Sequence, residues 1–379
     1  MTNLSILTSI KRVVLPGIIL QSVLIGGGYA TGREIVEYGG KFGASGWISG
    51  LAIFIGFSLM SVLSIEACRQ WQVFDYKSLL KKMIGKGWIV YEVVYLLLAI
   101  LTIAVMASAA GEILYNTLNL NKWIGVSFII IIVGFLNYKG DDTIAKLETI
   151  GTIVLFTTYS IFSFWIYSAK GSAISSVFHN WNTSFLNNPP SIPLLLWTGI
   201  LYVGYNLGVY PASFFSYKNI ESKKQSLIAG LLSGLIMTVP WFLTYFALMA
   251  YYTDKHVIAG TVPWLSMLEG YNPAFVGAFS LVIGWTLIET ATGVIHAFIG
   301  RIETEALQKG MQLKKINKAY ISFAALFAAM LLSQVGIIDL VAKGYTIMAY
   351  AMIAVYALPL FYYARMLLFG NRLGVMGND

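Results

Sequence analysis

The sequence predicts an all-α polytopic membrane protein of ten transmembrane helices, and three observations carry that prediction. Of its 379 residues, 58% are hydrophobic and 11% charged, with a mean hydropathy of +0.73, the balance of a chain that lives mostly in lipid. Ten segments are long and apolar enough to cross a hydrocarbon core of about 30 Å: near 13–38, 46–67, 88–116, 122–138, 144–169, 192–217, 225–252, 273–300, 318–335 and 337–363. The first and the sixth of these carry glycine-bearing interruptions, and discontinuous helices five spans apart are the mark of an inverted repeat.

Basic residues set the orientation. Lys11 and Arg12 precede the first span, which puts the N-terminus in the cytoplasm under the positive-inside rule. With that start, all but six of the 25 basic residues fall in cytoplasmic loops; Arg33, Lys41, Lys122, Lys170, Lys255 and Lys343 remain outside. The skew supports both the span count and cytoplasmic positions for both termini. The net charge of +8 is therefore a topology signal and gives no reason to invoke nucleic acid. The single cysteine, Cys68, cannot form a disulfide within the chain. The first apolar run is too long for a cleavable signal peptide. The gaps 69–87, 170–191, 253–272 and 301–317 are loop-sized, so residues 1–379 read as one transmembrane domain, with 260–268 forming a short helix that caps the outside.

In the first span the run Ile25-Gly26-Gly27-Gly28-Tyr29-Ala30-Thr31-Gly32-Arg33-Glu34 cannot make a strong helix, because each glycine costs roughly 1 kcal/mol against alanine. In lipid, unsatisfied main chain survives only where protein or a water-filled cavity surrounds it. Unwinding over Gly26–Gly32 is therefore expected to line a cavity at membrane depth. Close packing through small residues is the alternative, but three adjacent glycines face several directions at once. The sixth span carries Tyr202-Val203-Gly204-Tyr205-Asn206-Leu207-Gly208 and then Pro211, read either as a matching discontinuity or as an ordinary proline kink. In the eighth span Thr286, Glu289, Thr290 and Gly293 share one helical face. An ionisable group at mid-span points to function by default; a neutral structural glutamate is the other reading.

Ten spans, breaks in the first and sixth, and a long outer loop between the seventh and eighth resemble the LeuT-type fold of the amino acid–polyamine–organocation (APC) superfamily. The stretch GGGYATGREIVEYGG looks more narrowly like the YkvI-type bacterial amino-acid permeases. That resemblance implies a five-plus-five repeat, about 10–170 and 190–365, with spans one, two, six and seven moving as a bundle. It implies a symporter in the bacterial cytoplasmic membrane for a small zwitterionic solute, an amino acid on family grounds, with no cofactor and with Na+ or H+ as coupling ion. The substrate would contact Gly26, Gly27, Gly28 and Tyr29, its carboxylate against main-chain amides. Tyr202 or Tyr205 would form an aromatic lid, and Gly204 and Asn206 would complete the pocket. Carbonyls of Leu24 and Gly26 would hold the cation together with Thr286, Glu289 and Thr290. Relatives place two adjacent hydroxyls where this chain has Glu289-Thr290, so Glu289 is either an anionic sodium ligand or a proton carrier. Proton-driven relatives place a lysine inside span five; Lys146 sits at the cytoplasmic start of that span, which leaves sodium ahead. By the same pattern Arg33 would pair with Asp339, or with Glu112, as an extracellular gate. An arginine snorkelling to the headgroups is the competing account.

Asp141, Asp142 and Glu148 read as a solvated turn, and Glu66, His179, His256 and His296 lack metal-site spacing. The Asp-Pro-x-x-Asn element of manganese and iron relatives is missing from the first span, which argues against a transition-metal cargo. No Walker sequence is present for ATP coupling. A non-transporting ligand sensor on the same fold is the rival reading. A membrane enzyme ranks third, for want of a nucleophile–base set.

Overall fold

The computed structural model describes residues 3–139, 141–269, 271 and 273–369, with backbone alone for 3–11, 27, 28, 139, 141–153, 155, 274 and 315. The side chains of Lys11, Lys139, Asp141, Asp142, Lys146 and Glu148, and all of Arg372, lie outside the described residues. Every described element is helical, and helices stand at all ten expected positions because each apolar segment satisfies its main chain internally. The chain runs through α1 (Asn3–Leu24), α2 (Gly27–Thr31), α3 (Arg33–Tyr38), a short 3-10 turn (Gly40–Ser45), α4 (Trp47–Trp71), α5 (Tyr76–Ile84), α6 (Trp88–Leu118) and α7 (Lys122–Lys139). It continues through α8 (Asp141–His179), α9 (Ile192–Asn206), a 3-10 segment (Leu207–Asn219), α10 (Lys223–Met249), α11 (Lys255–Ala259) and α12 (Pro263–Ser266). Last come α13 (Pro273–Gln308), α14 (Lys315–Ser333) and the final span, built from α15 (Ile337–Asp339), α16 (Tyr345–Met352) and α17 (Leu358–Phe369) joined by π-helical turns.

Seven of these helical stretches are long and apolar enough to cross a membrane, and two shorter apolar helices, Arg12–Leu24 and Lys122–Tyr138, stand in the first and fourth expected positions. All four expected loops are partly helical, the third through α11 and α12 and the fourth through the end of α13. Asp75 caps the amphipathic α5 by accepting from the Ser78 amide, and α8 runs on past a kink at Lys170 to His179.

The spans sort into two packed groups. One brings α1, α4, α9 with its 3-10 extension, and α10 together; the other brings α6, α7, α13 and α14 together. Close approach of α10 to α4 rests on Gly230 and Gly234, one turn apart, whose missing side chains leave room for Val62 and Ser58. Arg12 pairs with Glu221 at 2.8 Å, and Lys223 donates to the carbonyl of Leu368. The start of the first span and the end of the last therefore share one face of the molecule, called the termini face below.

Candidate functional site

The first span breaks, but differently from a single unwound stretch. The α1 helix stops at Leu24, Gly26 is extended (φ −145°, ψ 176°), and Gly27–Thr31 forms a short helix of its own. A second bend follows at Gly32, whose φ of 81° lies in the left-handed region that favours glycine. The expected unwinding over Gly26–Gly32 is thus two local interruptions flanking one helical turn, because a single turn recovers most of the main-chain hydrogen bonds. Two helix starts therefore face this region, one at Gly27 where α2 opens and one at Arg33 where α3 begins. The Tyr29 amide is engaged, donating to the Gly26 carbonyl at 2.9 Å, and the Leu24 carbonyl accepts from the Gly26 amide at 2.9 Å.

The sixth span does not unwind. It passes from α-helix to the tighter 3-10 form after Asn206, with helical dihedrals on both sides of the change. Gly204 serves close packing: a side chain there would meet Ile353 and Ala349 of the last span. Downstream, Pro211 has no amide to give, so the Gly208 carbonyl loses its i+3 donor.

Between these two spans lies a central cavity of about 100 Å³. Leu24 and Gly26 of the first span, Asn206 and Gly208 of the sixth, and Thr290 of the eighth reach it, as do Glu34, Tyr205 and Tyr345. It shares Val23, Gly208 and Thr290 with a larger cavity of about 860 Å³, which passes Glu289 and Gly293 and extends to Arg301 and the exposed Thr304 near the termini face. The contact that joins spans one and eight is tight. A side chain on Gly26 would stand 2.4 Å from Thr290 Cγ2 and 2.8 Å from its hydroxyl.

Several expected members sit elsewhere. The Tyr29 ring turns away from the cavity, into a small pocket with Tyr159, Pro240 and Thr244. Tyr202 is buried against Tyr38, Phe57 and Tyr205, in the packed core and off the cavity wall. Thr286 gives its hydroxyl to the Val282 carbonyl at 2.9 Å, a bond within its own helix, and lines neither cavity. Asn206 is on the wall, with its amide donating to the Tyr202 carbonyl at 2.8 Å.

Glu34, expected with Glu37 to face the vestibule or its partners but given no chemistry, stands at the centre of the site. It is 5% exposed, lines the central cavity, and accepts from the Tyr205 hydroxyl at 2.7 Å. Tyr205 in turn stacks on Tyr345, ring centroids 4.4 Å apart at 11°. The one available signal was a second acid directly after Arg33, on a half-helix expected to reach the cavity.

On the opposite face Arg33 pairs with neither Asp339 nor Glu112. Its guanidinium donates to the carbonyls of Ile258 (2.9 Å) and Gly260 (3.1 Å) and to Glu37 (3.3 Å). Asp339 pairs with Lys343 at 2.9 Å, one turn along its own helix. Glu112 accepts from Lys122 and from the Thr261 hydroxyl, the latter at 3.1 Å. Local partners satisfy both acids, and Arg33 and Glu112 meet through the α11–α12 loop they both hold. That loop drives the fully buried Trp264 against Gly32, Tyr159, Phe162 and Phe279.

No protein-family model matches the chain. It is 23% identical over 346 residues to the uncharacterized membrane protein YkvI of Bacillus subtilis (strain 168), a match spanning 87% of this chain and 90% of the relative. Among solved structures, a Na+-coupled sialic acid symporter in a substrate-bound outward-open state superposes with a TM-score of 0.56 at 11% identity, covering 93% of this chain and 85% of the other. The manganese transporter of Eremococcus coleocola, bound to an aromatic bis-isothiourea compound, superposes with a TM-score of 0.53 at 11% identity, covering 100% and 90%. At such identities the likeness is one of fold: this chain is built like those transporters.

Proposed function

We propose that this chain is a secondary active transporter of the APC superfamily, a ten-span five-plus-five repeat that carries a small solute, an amino acid by preference, together with Na+ or H+. The observation that carries the reading is a cavity at the first-span break, bordered by a larger cavity that extends toward the termini face, with the α11–α12 loop packed on the other side of the break. With the termini face cytoplasmic, as the basic residues place it, the geometry is that of an inward-open state. The solute would occupy the central cavity beside Gly26, the opening amides of Gly27 and Gly28, Tyr205 and Asn206. The cation would bind where Thr290 meets the first span near Leu24 and Gly26, with Glu289 supplying charge. The loop held by Arg33 and Glu112 replaces the expected Arg33–Asp339 pair as the outer closure. Occupancy of both sites would favour rocking of the group containing spans one, two, six and seven.

Reconstitution into vesicles tests this. Uptake of labelled amino acids that needs an imposed sodium or proton gradient supports symport. Saturable binding without gradient-driven accumulation would instead identify a sensor on the same fold.

A further inference from the structure

Glu34 places an acid where a ligand would lie, and among the described residues no basic side chain pairs with it. Its carboxylate is buried on the wall of the central cavity with the Tyr205 hydroxyl as a hydrogen-bond donor. The neighbouring guanidinium of Arg33 is committed to Ile258, Gly260 and Glu37. Lys41 is committed to Glu37, and among the described residues no ion pair reaches Glu34. An isolated charge at such depth carries a desolvation cost that a hydroxyl offsets only in part. That cost is relieved either by a proton on the carboxyl or by a cation that displaces it from the cavity side.

We propose that Glu34 is the ligand-recognising acid of this site, pairing with the protonated amine of the solute while Tyr205 holds the carboxylate in place. The inference rests on the transporter reading for its central cavity but is narrower: the feature selected is a positively charged nitrogen, and a carboxylate on the same molecule is secondary. Simple amines are thus within the substrate class, and N-acylated or deaminated solutes are outside it. Tyr345, stacked on Tyr205, keeps the hydroxyl aimed at Glu34.

The test is binding to the purified full chain in detergent, read by thermal shift and calorimetry and independent of any gradient. The probes are the twenty amino acids and short primary amines, each beside its N-acetylated and deaminated counterpart. Wild-type protein should bind amine-bearing probes and lose about tenfold or more in affinity for the acetylated and deaminated forms. Glu34→Gln should lose a similar factor toward the amine, while Glu34→Asp, which keeps the charge, should retain part of it. Acetylated or deaminated probes that bind as well as the amines overturn the proposal, as does a folded Glu34→Gln protein with wild-type affinity. Where Glu34→Gln does not fold, Glu34→Asp with the same probes carries the test: unchanged amine affinity and selectivity there, or acetylated probes bound as well as amines by the wild type, overturn the proposal. Amine binding without vesicle uptake would remove the transporter reading and leave this one standing; uptake that ignores Glu34→Gln would do the reverse.

Discussion

Thr290 occupies the space where a side chain on Gly26 would be, and this contact ties the first break to the eighth span. Gly26→Ala forces an overlap at 2.4 Å with Thr290 Cγ2, and overpacking of that kind costs about 1–3 kcal/mol. The variant should melt several degrees lower in detergent, and adding Thr290→Ser, which deletes Cγ2, should restore part of the loss. Equal melting temperatures across the series would mean that the two spans part easily. Glu289 is buried one residue before Thr290, on the wall of the larger cavity. Sodium should raise the melting temperature of the wild type and leave Glu289→Gln unaffected; identical responses would reduce Glu289 to a packing residue. Glu289, Thr290 and Gly26 were legible because a mid-span acid and a glycine run are conspicuous in apolar sequence. Glu34 was not, since the left-handed turn at Gly32 resets the helical phase, and spacing counted through Tyr29 and Thr31 cannot say which way residue 34 faces. Tyr29 and Tyr202 failed for the same reason: a tyrosine beside a break is equally at home in the core, and only packing decides.

At the level of elements, a helix continues beyond its apolar stretch, so α1 starts earlier and α8, α13 and α17 run on well past the expected ends. Many other span ends were readable to within a few residues, because hydropathy falls there. The character of the interruptions was not. Glycine in the first span permitted a break, but Gly27–Thr31 still closed a turn of its own, and Gly208 with Pro211 produced a tighter helix in place of an open one. The outer closure was misassigned because an arginine can donate to carbonyls as well as to acids, and the loop between the seventh and eighth spans offered two of them. That loop yields a prediction about an element. Arg33→Ala deletes both carbonyl contacts and should loosen α11 and α12, so that Trp264 no longer seals the space above Phe279. A cysteine replacing the buried Phe279, in a chain whose native Cys68 is itself buried, should react faster with a membrane-impermeant maleimide once Arg33 is changed. An unchanged rate would show that the loop is held by its apolar contacts alone. Gly32→Ala strikes the same seam twice, through a positive φ and through Trp264 Cδ1 only 2.9 Å from the added carbon. A loss of about 1 kcal/mol or more is expected for the backbone alone, measured by denaturation in detergent.

Across the whole molecule, two packed groups of helices meet at the central cavity, which borders a larger cavity extending toward the termini face. A carrier must never connect both faces at once, and in the proposed transporter that labour would be divided between unlike devices. On one side a folded loop with a buried tryptophan covers the site; on the other the larger cavity stays open between α1, the 3-10 end of the sixth span, and α13. The division predicts a sided accessibility that no static pore would show. Ala297 is exposed on the wall of the larger cavity, roughly two helical turns from Glu289. A cysteine there should react with an impermeant maleimide in inside-out vesicles and be protected in right-side-out ones, if the termini face is cytoplasmic. Ligand and sodium supplied together should slow the reaction, since closing around both draws α1 and the sixth span towards α13. Equal rates from the two sides would describe a channel, and fast labelling only from outside would invert the topology read from the basic residues. Protection that ignores ligand would leave the helical groups immobile, as a receptor requires and a carrier does not.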